Sequence, residues 1–67
     1  MLIKLNNRME TLPGDAMSVR EILTHMSFTF PRIIVKLNDK LIKKPFYEET
    51  IVKDGDTLNV IHLISGG

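Results

Sequence analysis

The sequence predicts an α+β domain, a mixed sheet of four to five strands with one main helix packed on one face. Three observations lead there. Short segments alternate apolar and polar residues at the period of a strand. One segment alone carries apolar residues at helical spacing behind a capping signal. Turn-forming residues separate these segments at short intervals, in the order strand, strand, helix, strand, short strand, strand. Sixty-seven residues make one domain. We expect it to span residues 1–64, followed by a flexible tail at 65–67. A chain of this size buries only about 60% of the surface that its unfolded form exposes. With no cysteine to form disulfides or a thiolate metal cage, the core must come from the 43% hydrophobic residues.

Met1, Ile3 and Leu5 point one way along the first segment, and Leu2 and Lys4 point the other. Asn6-Asn7 suits a two-residue hairpin turn, because asparagine tolerates left-handed backbone angles. Arg8 to Leu12 is then the return strand, broken by Pro13-Gly14-Asp15. Ser18 and Glu21 form a capping box, and Val19, Ile22, Leu23 and Met26 fall at i, i+3, i+4 and i+7 to make one apolar stripe. A helix of about three turns is expected there. Ser27 to Pro31 reads as a loop carrying Phe28 and Phe30. Arg32 to Asn38 is the next strand, with Ile33, Val35 and Leu37 on one face and Ile34 and Lys36 on the other. Asn38-Asp39 turns the chain into a short strand, Leu41 to Lys43, which Pro45 ends. Phe46 to Thr50 is expected to hold a single helical turn. Asp54-Gly55-Asp56 is a turn, and Thr57 to Leu63 is the last strand. In this order the first and last strands lie side by side at the centre with the hairpins outside them, the ubiquitin-like β-grasp layout.

Several function classes are poorly served by these residues. Nine Lys and Arg against eight Asp and Glu give a net charge of +1, which argues against DNA or an anionic membrane as the main partner. No apolar run approaches the roughly 20 residues of a membrane span. Lys4 interrupts the only apolar stretch at the N-terminus, so no signal peptide is expected and the localisation expected is cytoplasmic. His25 and His62 lie on separate elements without metal-ligand spacing. Asp54 and Asp56 lack the further oxygen ligands of a calcium loop and read as turn residues. Lys36, Lys40, Lys43 and Lys44, followed by Phe46 and Tyr47, fit a solvated face, a docking surface for an acidic protein, or a nucleic-acid patch. Glu48 and Glu49 follow at once and weaken the last of these. No metal and no bound cofactor is expected.

Two features stand out against this background. With Ile3, Leu5, Ile33, Val35, Leu37, Leu58 and Val60 under the helix, Ile34, Ile61 and Leu63 project from the opposite face of the sheet. Sheets of this size usually carry polar residues there, so the three are candidate docking residues for a protein partner. The second feature is the end, Ser65-Gly66-Gly67. At a glycine frequency of about 7%, a chain ends in two glycines by chance roughly once in 200 times. Glycines lacking Cβ pass through a narrow channel, and three extended residues reach about 10 Å. The α-carboxylate of Gly67 thus sits on a thin probe. ATP-dependent adenylation by a partner would make it an acyl donor.

The run Val52-Lys53-Asp54-Gly55-Asp56, then Leu58-Asn59-Val60-Ile61-His62, then Ile64-Ser65-Gly66-Gly67 resembles the closing signature of the ThiS-type sulfur carriers. The Leu37-Asn38 turn, and Ser18-Val19 opening the helix before Ile22-Leu23, resemble that group too. The resemblance implies a ubiquitin-like fold and a role in supplying sulfur for the thiazole ring of thiamine. It implies that an E1-like, ThiF-type enzyme uses ATP and magnesium to adenylate the terminal glycine, here Gly67. Sulfur from cysteine, delivered through a cysteine desulfurase or related donor, then replaces the adenylate. The resulting thiocarboxylate is consumed by a ThiG-type thiazole synthase. Gly66 and Ser65 would keep the tail narrow. The chain is then a protein co-substrate, with no catalytic residue of its own. Two alternatives share the fold and the tail: a MoaD-like small subunit of molybdopterin synthase, and a ubiquitin-like modifier that forms isopeptide bonds.

Overall fold

The computed structural model describes residues 1–28 and 32–63. The expectations for Phe30 and Pro31, and for the tail residues Ser65, Gly66 and Gly67, lie outside the described residues. Strand β1 spans Leu2–Leu5 and β2 spans Arg8–Thr11, paired antiparallel from Leu2↔Thr11 to Leu5↔Arg8. Between them Asn6 and Asn7 both take positive φ, 50° and 67°, the mirror-image turn that matches the twist of a hairpin. The same device recurs at Asn38 (φ 50°) and Asp39 (φ 68°), joining β4, Ile33–Leu37, to β5, Lys40–Ile42. That turn pairs Leu37 with Lys40, so the short strand begins one residue earlier than Leu41. The last strand, Thr57–His62, is antiparallel to β4 and parallel to β1. The five-stranded sheet has the outer hairpin strands and the central first-and-last pair that the element order predicts: return strand, first strand, last strand, β4, β5.

Helix α1 spans Val19–His25 and opens with both halves of the capping box: Glu21 N–H donates to Ser18 Oγ at 3.0 Å, and Ser18 N–H to Glu21 Oε1 at 2.8 Å. Such a cap is worth about 1 kcal/mol. The two N–H groups before it donate to carbonyls of a neighbouring loop, Val19 to Thr50 at 2.9 Å and Arg20 to Tyr47 at 3.0 Å. The helix is seven residues long, shorter than the three turns expected. It stops because Ser27 adopts φ 59°. Phe28 N–H then reaches back to Leu23 O at 2.8 Å and Ser27 N–H to Thr24 O at 3.1 Å, a Schellman cap built on serine rather than glycine.

The sequence reading contains no counterpart of a second, two-stranded sheet. Strand β3, Ala16–Ser18, pairs antiparallel with β6, Ile51–Lys53, from Ala16↔Lys53 to Ser18↔Ile51. It clamps the start of α1 to the segment leading into the last strand, which from here on is β7. The helical turn expected over Phe46 to Thr50 lies earlier, as a 3₁₀ turn at Lys44–Phe46 that takes Pro45 into its start.

The core lies between the five-stranded sheet and α1. Ile3, Val35 and Leu58 from the sheet and Val19 and Ile22 from the helix are fully buried, and Leu5, Leu23 and Val60 are nearly so. Ile33 and Leu37 pack against this cluster half-buried. Each fully buried aliphatic side chain contributes about 1.5–3 kcal/mol relative to exposure. Leu12 and Tyr47 also belong to the core, at 2% and 4% exposure. The burial of Tyr47 removes it from any basic patch able to stack bases. Among the described residues, no helix is long and apolar enough to cross a membrane.

Candidate functional site

Strand β7 outruns its parallel neighbour. The β1–β7 pairing covers Lys4↔Thr57 and Leu5↔Leu58, and then β1 turns away at Asn6. Asn6 covers the next step of the ladder with both its backbone and its side chain: its N–H donates to Leu58 O at 3.0 Å, and its Oδ1 accepts from Val60 N–H at 2.8 Å. Beyond that point β7 runs alongside β4, with Ile34↔Ile61, Ile33↔His62 and Leu63 N–H donating to Arg32 O at 2.9 Å. The chain therefore reaches Leu63, four residues before Gly67, past the end of the β1–β2 hairpin.

Asn6 does two jobs that separate by substitution. Asn6→Ala is expected to cost about 2 kcal/mol in denaturant unfolding, since it strands a part-buried N–H and puts a Cβ residue without a compensating side chain at φ 50°. Asn6→Gly relieves the backbone term alone and should recover roughly half of that loss.

The pairing register assigns the faces. Ile34 and Ile61 lie opposite each other on the side away from the helix, Ile34 half-buried and Ile61 46% exposed. Leu63, at 44% exposure, follows Ile61 on the same side by strand alternation. The sequence reading missed a fourth member. Leu41 pairs with Lys36, diagonal to Ile34, and is 53% exposed. Its strand, only three residues long, offers too short an alternation to mark a face in the sequence. Lys36 and Asn59, paired across β4 and β7, border the apolar cluster.

The remaining polar candidates do not converge. His25 ends α1 and His62 lies on β7, and among the described residues no group of three His, Cys, Asp or Glu side chains could hold a metal. The Asp54–Asp56 segment is held as a turn: Asp54 Oδ1 accepts from Leu2 N–H at 2.6 Å, while Asp56 accepts from Asn38 Nδ2 at 3.1 Å and Lys53 N–H at 2.8 Å. Gly55 between them takes φ 88°, a left-handed angle that glycine adopts freely. Tyr47 lies beneath the Arg20 guanidinium, 5.3 Å from ring centroid to carbon, while Phe46 and the lysines around it face solvent. An open groove of about 460 Å³ beside α1 and β5 is lined by Arg20, Lys43, Lys44, Phe28, Tyr47 and aliphatic residues, with no acid or histidine among its described walls.

Comparison with known proteins agrees with this geometry. The crystal structure of a thiamine biosynthesis protein, ThiS, from Geobacter metallireducens superposes with a TM-score of 0.88 at 26% identity, over 100% of both chains. A solution structure of a thiamine biosynthesis protein from the same organism gives 0.77 at 25% identity, over 100% of this chain and 88% of the other. The uncharacterized protein ycf40 of Pyropia yezoensis is 34% identical over 50 residues, covering 75% of this chain and 70% of that one. Its counterpart in Porphyra purpurea is 24% identical over 54 residues, 81% and 76% of the two chains. The sequence model of the ThiS family matches residues 3–67, and the chain, a β-grasp domain with its last strand carried past the hairpin, belongs to the ThiS family.

Proposed function

We propose that this chain is a sulfur carrier for thiamine thiazole synthesis and that Gly67 carries the sulfur. The observation behind this reading is the family match, which runs over residues 3–67 and so includes Gly66 and Gly67. A ThiF-type E1-like enzyme, using ATP and magnesium, joins the Gly67 carboxylate to AMP and releases pyrophosphate. Sulfur originating from cysteine, brought as a persulfide by a cysteine desulfurase or related donor, attacks the acyl adenylate and expels AMP. A second thiol then reduces the acyl disulfide, leaving the thiocarboxylate and a new disulfide. A ThiG-type thiazole synthase takes the sulfur and returns the carboxylate. The chain contributes no catalytic group, only an acyl terminus and a surface that partners grip. Ile34, Ile61 and Leu63, joined by Leu41, form that surface, and Ser65 and Gly66 form the narrow lead to Gly67. The apolar cluster includes Leu63, four residues before Gly67 in the chain, so one partner can hold the sheet and the tail together.

Intact mass of the full chain after incubation with ATP, magnesium, a ThiF-type enzyme and a sulfur source tests the reading. A gain equal to exchanging one oxygen for sulfur, confined to Gly67 on fragmentation, is expected. No gain, with enzymes that convert another carrier in parallel, would overturn it.

A further inference from the structure

The two outer strands of the main sheet differ in a way that bears on self-association. In the β1–β2 hairpin, Leu5↔Arg8 and Ile3↔Glu10 are the pairs that exchange main-chain hydrogen bonds, and Met1 and Leu12 continue that ladder at 2.7 Å. The alternate residues of β1, Leu2 and Lys4, turn their groups toward β7: Lys4 N–H donates to Asp56 O at 3.0 Å and Leu2 O accepts from Gly55 N–H at 2.8 Å. The alternate residues of β2 are Met9 and Thr11. By the same alternation their N–H and C=O groups point out of the sheet, and they take no partner among the described residues. Met9 is 61% exposed.

An open edge is a template for another strand, and its charges decide which strand. The opposite edge, β5, carries Lys40 with Lys43 and Lys44 just after it, so a second copy brought there meets like charge. Strand β2 instead carries Arg8 and Glu10 on either side of Met9, both side chains on the helix side of the sheet, across from Leu5 and Ile3. Among the described residues neither forms an ion pair, the one such pair joining Arg20 and Glu48. We infer that β2 is a self-pairing edge, at which two copies of this chain join antiparallel about Met9 into one continuous sheet.

The register follows from the residues. Centred on Met9, the pairing lets the outward N–H and C=O of Met9 bond those of the second copy's Met9, and it sets Arg8 opposite Glu10 twice by symmetry. Centred on Glu10, it would face Glu10 with Glu10. Centred on Thr11, it would set Glu10 against Leu12 and Met9 against Pro13. The first register alone uses both charges. Its two-fold axis stands perpendicular to the sheet, so both helices lie on one side and both open faces on the other. The two β7 strands then run in opposite directions, each separated from the joint by β1 and β2. A contact of two four-residue strands is small, which makes this a concentration-dependent dimer rather than a permanent one.

Sedimentation velocity of the full chain, from micromolar to millimolar concentration at low salt, tests it. The unaltered chain is expected to move toward twice the monomer mass as concentration rises, and less so at high salt. Arg8→Glu alone and Glu10→Arg alone each place like charges opposite and should weaken self-association roughly tenfold. An equimolar mixture of the two single variants should dimerise again, as should the double exchange. Met9→Pro removes an outward N–H without touching the β1 ladder and should leave a folded monomer by circular dichroism. A chain that stays monomeric at millimolar concentration would overturn the proposal. So would single reversals that associate as well as the unaltered chain, or a mixture that associates no better than its parts.

Discussion

Deleting Gly67 is expected to abolish thiocarboxylate formation while leaving the melting temperature within about 1 °C of the full chain. The chemistry explains the first half. Deletion leaves a carboxylate, now on Gly66, but withdraws it by one residue, about 3.3–3.6 Å of reach. A displacement of even about 1 Å from attack geometry costs on the order of a hundredfold, so a whole residue should take the rate below detection. The core explains the second half, because the buried cluster runs from Ile3 to Val60 and the deletion removes none of it. Gly67→Ala separates position from identity. It keeps the carboxylate in place and adds one methyl, so it should slow sulfur loading without ending it. Intact mass and a thermal melt on the same samples decide the matter, and a truncated chain that still gains sulfur would place the reacting carboxylate elsewhere.

The parts of this fold legible in the sequence are those whose local chemistry agrees with their tertiary role. Ser18 and Glu21 satisfy the first turn of α1 whatever packs on it, and Asn6-Asn7 and Asn38-Asp39 accept left-handed angles before any strand pairs. Alternation in β4 and β7 set the two faces, and the observed pairs Val35↔Val60 and Ile34↔Ile61 keep them apart as expected. The small sheet of β3 and β6 was not legible, because three residues such as Ile51–Lys53 show no period and the partner lies far away in the chain. The helix end was missed for a different reason. Serine stands at the left-handed cap position where glycine is the usual signal, so the apolar Met26 read as one more helical residue. Tyr47 read as exposed beside its lysines, and only the fold shows that the chain turns it inward under Arg20. Of the candidate surface, three residues followed from alternation. Leu41 escaped because a three-residue strand gives too few positions to assign a face.

Ile61→Asp is expected to lower kcat/KM for adenylation of Gly67 about a hundredfold, far more than it disturbs the fold. Ile61 lies across from Ile34 at the centre of the apolar cluster and 46% exposed, so the free chain already solvates much of it. An aspartate there loses strand propensity and the cross-strand contact, about 1 kcal/mol in stability. Under a docked partner the same aspartate would be a carboxylate taken out of water on an apolar surface, in addition to the lost apolar contact. The adjacent residue supplies the control. Val60 is 7% exposed in the core, so Val60→Asp should unfold the domain outright and lose activity with structure. Adenylation rates measured well below the melting temperature separate the two. If Ile61→Asp loses activity only in proportion to the fraction unfolded, the open face is not the surface that the adenylating enzyme grips, and recognition must rest on the tail alone.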